Sequence, residues 1–230
     1  MCHKTRGETM YSYVEDKPFL TDAKRTALNI MKQLISKLRD RGLDCNARLL
    51  GLDGKEPILQ NGSNPVEIEY LIEIEGSKEF DLNDGHQIKL VTMDELDIIS
   101  KPLLLPECVS NTFNIILPQL RFSMGNTQKA FNIVISMVHE DPDGSYGRLG
   151  RKPSAVTARD QWSWIPVPDS IDINYKAKKI KSKYWKDVNS LYLKKKNAYL
   201  TRVNIGHPSF VCYVESVNEV YRLHFEEEEF

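Results

Sequence analysis

The segment Phe131–Val138 reads Phe-Asn-Ile-Val-Ile-Ser-Met-Val, β-branched and apolar almost without interruption. A strand of this composition has no face to give to water, so the segment predicts a central strand buried on both sides. Whatever fold forms must therefore place layers on both faces of a sheet. The chain is long enough for this: 230 residues suffice for one or two domains and for burying roughly 70–75% of the unfolded surface.

Hydrophobic residues at 41% and charged residues at 27% exclude collagen-like, mucin-like and wholly disordered classes. Apolar runs such as Ile133–Ile135 and Leu103–Leu105 fall far short of the roughly 20 residues that cross a bilayer. The first residues, Met1–Asp16, carry no apolar stretch that would mark the chain for export, so a cytoplasmic protein with no membrane partner is expected. Cys2, Cys45, Cys108 and Cys212 are scattered without a Cys-x-x-Cys and read as reduced thiols, and the five dispersed histidines lack the spacing of a structural zinc site. With 31 basic and 32 acidic side chains the formal charge is −1, which leaves any polyanion binding to a local patch.

Residues 1–20 read as an arm ending in Lys17-Pro18-Phe19. A helix then follows, capped by Thr21 or Asp22, with Ala27, Ile30, Met31, Leu34, Ile35 and Leu38 on one stripe and Gly42 at its end. Cys45–Leu52 and Val66–Ile74 read as strands joined by a turn-rich segment. His86–Met93 is ambiguous and fits a strand, with a short helical turn over Asp94–Ser100. Gln119–Ser123 and Lys129–Val138 form a hairpin pattern about Gly125-Asn126. His139–Asp169, with its glycines and prolines, reads as loop. From Lys176 to Lys196 nine lysines face the single acid Asp187, and Tyr175, Ile180, Tyr184, Trp185, Val188, Leu191 and Tyr192 mark a helical stripe opposite them. A last helix runs from Pro208 or Ser209 to about His224, with Ser209 as candidate cap, and the chain ends in an acidic tail.

The segment Asn46–Ile74, Asn-Ala-Arg-Leu-Leu-Gly-Leu-Asp-Gly through Val-Glu-Ile-Glu-Tyr-Leu-Ile-Glu-Ile, resembles the polymerase-β-type nucleotidyltransferase layout. There a Gly-Ser turn precedes a strand bearing Asp-x-Asp. The blocks Ile180–Leu200 and His207–Tyr221 are similar to the C-terminal helical portion of a bacterial or phage-associated group of that superfamily, so the likeness covers roughly residues 20–225. It implies an α/β (α+β) fold, a mixed sheet flanked by helices with a helical C-terminal portion. The organisation expected is an arm over 1–20, a nucleotidyltransferase-like core over 21–170, basic and apolar helices packed on it over 171–225, and a tail over 226–230.

In that superfamily two carboxylates on one strand face hold two magnesium ions, a third acid on a neighbouring strand helps activate the attacking hydroxyl, and the glycine turn lets amides approach phosphate. Alternation puts i and i+2 on one face, which is the place of Glu67 and Glu69 here. The resemblance makes them the catalytic and metal-binding candidates, with Gly51, Lys179, Lys183 and Arg148 at the nucleotide. Three positions depart from the pattern. Glutamates replace aspartates, Leu52 follows Gly51 where a serine would stand, and Phe131–Val138 contains no acid. On the residues alone, Glu67, Glu69, Glu73 and Glu75 are also the wet face of a strand whose Ile68, Tyr70, Ile72 and Ile74 face a core.

The departures imply a degenerate nucleotidyltransferase-like protein that binds a nucleotide or nucleic acid, or regulates a partner. The alternatives are an active magnesium-dependent enzyme moving a nucleoside monophosphate from a nucleoside triphosphate to a hydroxyl, and an interaction module whose basic helix docks on an acidic protein partner.

Overall fold

A computed structural model describes residues 10–50, 58–124, 127–152, 161–180, 183–200 and 209–226. The chain enters through β1 (Tyr11–Tyr13) and passes straight into α1 (Lys17–Asp40). The cap is Asp16, whose carboxylate accepts the Phe19 N–H at 3.1 Å. It lies upstream of the expected Thr21 or Asp22, because Pro18 occupies the first helical turn, where a missing N–H costs nothing, and does not close an arm. Phe19, Ala23, Ala27, Ile30, Met31, Leu34 and Leu38 form the buried stripe, and Gly42 at φ +90° ends the helix as its position suggested.

Next come β2 (Leu43–Leu49), β3 (Leu59–Asn61) and β4 (Val66–Ser77), with β2 antiparallel to β4 and β3 paired to β1 in a separate two-stranded ribbon. The expected strand over His86–Met93 is instead the first half of α2 (Gly85–Ser100). Asp84 caps it by accepting from Gln87 N at 3.0 Å, and Ile88, Thr92, Leu96 and Ile99 recur on one buried face. A three- to four-residue period with a cap outweighs the local β propensity of Leu-Val-Thr. Arg41 meets the buried Glu95 at 2.6 Å and ties α1 to α2.

A short edge strand β5 (Val109–Ser110) leads to β6 (Asn114–Met124) and β7 (Thr127–Glu140), the expected antiparallel pair. In the larger sheet the order is β2-β4-β7-β6-β5, and β4 runs parallel to β7. Phe131 and Ile133–Val138 are buried on both faces, as the composition of this central strand demands.

The stretch expected as loop after His139 contains two further strands, β8 (Tyr146–Lys152), which pairs with the end of β7, and β9 (Gln161–Val167), which among the described residues pairs only with β8. Its glycines serve packing. A Cβ at Gly147 would lie 3.0 Å from Trp164 Cβ, and one at Gly150 would lie 2.7 Å from both Phe113 and Ile165. Pro166 is tolerated because β9 is an edge.

The lysine-rich region is two helices, α3 (Ile173–Ile180) and α4 (Trp185–Leu200), in place of one continuous stripe. α5 (Ser209–Tyr221) follows, extended by a wide last turn over Arg222–Glu226. Two cores result. One packs α1 and α2 on the side of Ile68, Tyr70, Ile72, Ile133 and Ile135; the other packs α3, α4 and α5 over Leu71, Val138, Tyr146 and Val167. Among the described residues no helix is long and apolar enough to cross a membrane.

Gly85 opens α2, where helix propensity alone favours alanine by about 1 kcal/mol. An added Cβ would meet Leu149 Cδ1 at 2.5 Å and the Trp162 carbonyl oxygen at 3.1 Å. Because that backbone cannot retreat, Gly85→Ala is expected to destabilise by about 1–3 kcal/mol in chemical denaturation.

Candidate functional site

Alternation along β4 turns Glu67, Glu69, Leu71 and Glu73 toward the C-terminal helices while Ile68, Tyr70 and Ile72 enter the other core. The two expected carboxylates are thus neighbours on one face. α4 lies over them. Asn197 fastens it to β1 by accepting the Tyr11 N–H at 2.7 Å and donating to the Tyr11 carbonyl at 3.1 Å, and the Tyr13 hydroxyl donates to the Asn189 carbonyl at 2.6 Å.

From α4 the Lys196 side chain, 1% exposed, descends onto the acids. Its ammonium donates to Glu69 Oε1 at 3.0 Å and to Ser209 Oγ at 2.8 Å, and it stands 4.5 Å above the Tyr11 ring. The Tyr192 hydroxyl is 3.4 Å from the other oxygen of Glu69. Burial alone would pull the lysine down, but Glu69, then Tyr192, Tyr11 and Glu67, hold it well above its ordinary value, so it is an ammonium at neutral pH. Burial pushes the Glu67 carboxyl up to about 7, the Glu69 charge adds to the rise, and Lys196 opposes it. Hydrogen bonds from Tyr11 and to Glu69 complete its surroundings.

The parallel register puts Asn132 directly beside Glu67 on the adjacent strand, where the resemblance wants a third acid. Its Oδ1 accepts the N–H of Gln119 at 2.9 Å. Gln119 sits at φ +55° within the register shift between Leu117 and Leu120, so Asn132 is engaged in holding an irregularity of β6.

The residues present do not fit the two divalent ions that the resemblance implies. An ammonium already occupies the cation's place against Glu69. Among the described residues no group of three or more His, Cys, Asp or Glu side chains could hold a metal.

Beside the pair remains a cavity of about 40 Å³ lined by Leu49, Leu50, Ile58, Glu67, Trp185, Tyr192 and Tyr213, among others. That is room for roughly two or three waters. Trp185 Nε1 is buried without a hydrogen-bond partner among the described residues.

The other expected nucleotide contacts are dispersed. Lys179 is exposed on α3 with its ammonium 5.5 Å from the Tyr175 ring, and Lys183 is exposed with its own 4.9 Å from the Tyr184 ring. Arg148, expected in an exposed loop, is on β8 and buried. None of the three lines the cavity. Gly51 lies outside the described residues; the N–H of Leu50, next to it, donates to the Glu69 carbonyl at 2.9 Å. Sequence reasoning missed Tyr11, Ser209 as an ammonium acceptor, and Lys196 as the lysine that, among the described residues of its run, reaches the acids. The signal for Lys196 is its spacing: Val188, Tyr192 and Lys196 fall four residues apart, on the apolar stripe.

The chain matches no family model and no curated protein. Its fold is similar to that of E. coli MS115-1 CdnC solved with ATP, at 19% identity and TM-score 0.47 over 88% of this chain and 59% of the other. The Bradyrhizobium diazoefficiens CD-NTase CdnG in complex with GTP is similar at 12% identity and TM-score 0.49, over 87% of this chain and 66% of that one. A third likeness is to E. coli MS115-1 CdnC in its HORMA-deltaN complex, at 16% identity and TM-score 0.43, over 91% of this chain and 61% of the other. The chain therefore spans about three fifths to two thirds of the length of these structures.

Two outcomes follow from the buried acids. Since Glu67 holds its proton more tightly when folded, the folded state binds more protons between its ordinary value near 4.5 and about 7, and stability falls as pH rises through that window. Glu67→Gln should flatten this loss, on the order of 2–3 kcal/mol, as read from denaturation at pH 5 and pH 8. Lys196→Met leaves Glu69, 14% exposed, without its counter-charge, a loss of about 3–5 kcal/mol. Adding Glu69→Met should recover most of it, which a double-mutant cycle measures.

Proposed function

We propose that this chain is a nucleotidyltransferase-like protein that binds a nucleotide or regulates a partner and does not carry out two-metal nucleotidyl transfer. The observation that carries this reading is the ammonium of Lys196 at 3.0 Å from Glu69, sealed from solvent on the face where a catalytic cation would be needed. Magnesium requires oxygen ligands at about 2.0–2.1 Å in near-octahedral array. A buried lysine clamped by a carboxylate, a hydroxyl and an aromatic ring competes with that array directly.

The chemistry also limits how a nucleotide would lie. Glu69 is neutralised by Lys196, so what the acid pair offers is hydrogen-bonding oxygens, which suit a neutral ring bearing amino groups better than a triphosphate tail. Trp185, Tyr192 and Tyr213 supply apolar and aromatic walls for such a ring. Preformed ligand pockets span about 300–1,000 Å³, far above the cavity's ≈ 40 Å³. Entry therefore requires α4 to move away from β1, and a partner that displaces α4 would couple to ligand binding.

The test is incubation with labelled nucleoside triphosphates, magnesium or manganese, and mixed RNA and protein acceptors. No label transfer is expected, and the Glu67→Ala plus Glu69→Ala protein should behave as the wild type does. Transfer that the double change abolishes would establish an active enzyme and overturn the reading. In parallel, a nucleotide-induced rise in melting temperature should be the same with and without magnesium. Absence of a shift with every nucleotide and oligonucleotide leaves the basic-helix interaction module.

A further inference from the structure

Arg148 presents a different problem from the acid pair. It pairs with Val138 on β7, whereas Glu69, the nearer of the two acids, pairs with Val134. Four residues of strand separate the two levels, ~13 Å at the rise of a β-strand. Arg148 is 5% exposed. Among the described residues no acid forms an ion pair with it, and its Nε has no hydrogen-bond partner. The Phe113 ring lies on it, with its centroid 3.8 Å from the guanidinium carbon, and Cys212 of α5 and Tyr199 of α4 are close enough to act on it electrostatically. Burial pushes the guanidinium down to about 10, and it remains fully charged at neutral pH.

A buried charge without a counter-charge is among the most unfavourable arrangements a fold can retain. Here the surroundings are arranged to keep it. Gly150, two residues along the same strand face, leaves the space that the Phe113 ring fills, since any Cβ would lie 2.7 Å from that ring. Asn111 Oδ1 accepts from the N–H groups of Phe113 and Asn114 at 2.9 and 2.8 Å, which sets the bend that delivers the ring. On β9, Ser163 pairs with Gly150 and is therefore the diagonal neighbour of Arg148 on that face. Its Oγ is likewise buried with no partner among the described residues. One cation and one hydroxyl stand unpaired on adjacent strands, with no acid among the described residues bound to either.

We infer that Arg148 and Ser163, beneath Phe113, form a binding site for a single phosphate-type oxyanion, separate from the Glu67–Glu69 pair. A guanidinium offers forked N–H donors that match an oxyanion, and the serine hydroxyl adds one more. The single positive charge suits one phosphoryl group and not a triphosphate. Half-buried Phe113 covers the guanidinium and is the group that swings aside on entry. This inference does not depend on how the acid pair functions.

The probe is inorganic phosphate against chloride and acetate at constant ionic strength, with melting temperature as the readout for wild type, Arg148→Met and Arg148→Lys. Phosphate should raise the wild-type midpoint saturably, by about 3–6 °C at tenfold excess over its Kd. Chloride and acetate should not. Arg148→Met should lose the phosphate response and, in chloride, melt no lower than wild type, because it removes an uncompensated charge. Arg148→Lys should weaken the response by losing the fork. Equal wild-type midpoints in phosphate and chloride would overturn the site, as would an Arg148→Met protein that still responds. An Arg148→Met protein that fails to fold would contradict the premise that the charge is uncompensated, and an equal rise with acetate would overturn the phosphate assignment.

Discussion

Removing an ammonium and a carboxylate from water costs several kcal/mol for each ion, and only close, well-satisfied geometry returns it. The contact between Lys196 and Glu69 sets that demand on this fold. The lysine comes from α4, the carboxylate from β4, the hydroxyl of Ser209 from α5 and the ring of Tyr11 from β1. β1, β4 and the consecutive helices α4 and α5 are far apart in the chain, so the ion pair is satisfied only when all have assembled. The residue after Lys196, Asn197, clasps the Tyr11 backbone through both ends of its amide, which fixes α4 over the sheet at that level.

One strand thereby acquires two kinds of acidic surface. Glu67 and Glu69 are covered by α4. Further along, Glu73 takes Arg48 at 3.0 Å, and the exposed Glu75 accepts from Asn46. An alternating strand would ordinarily be uniform along its polar face. The difference arises from the parallel neighbour β7 and the helices stacked on it: Asn132 beside Glu67 is polar and wedded to the β6 irregularity, while Val134, Ser136 and Val138 continue as buried surface. The same packing leaves Arg148 beneath Phe113 without an acid among the described residues.

Much of the scaffold was readable residue by residue. The composition of Phe131–Val138 sufficed for a central strand, the α1 stripe for a helix against a sheet, and i, i+2 spacing for two glutamates on one face. Where the reading went astray, a local signal had two meanings. Gly147, Gly150 and Pro166 resemble loop residues, yet they make close strand crossings and an edge; Pro18 resembles the end of an arm, yet it sits in a first helical turn. His86–Met93 carries β-prone residues, and the capping aspartate before it decided the matter.

The amino-acid order by itself determined which residues must leave water and with what period, because burial of apolar area and backbone hydrogen bonding act on each short segment separately. It therefore specified the central strand, the amphipathic helices and the adjacent pair of acids. Which of nine lysines would reach those acids, and that Arg148 would lie under a ring instead of in a loop, was decided only by tertiary structure. Side-chain charge interactions depend on distance and dielectric together, and both are set by residues remote in sequence: Tyr11 and Ser209 for Lys196, Phe113 and Ser163 for Arg148.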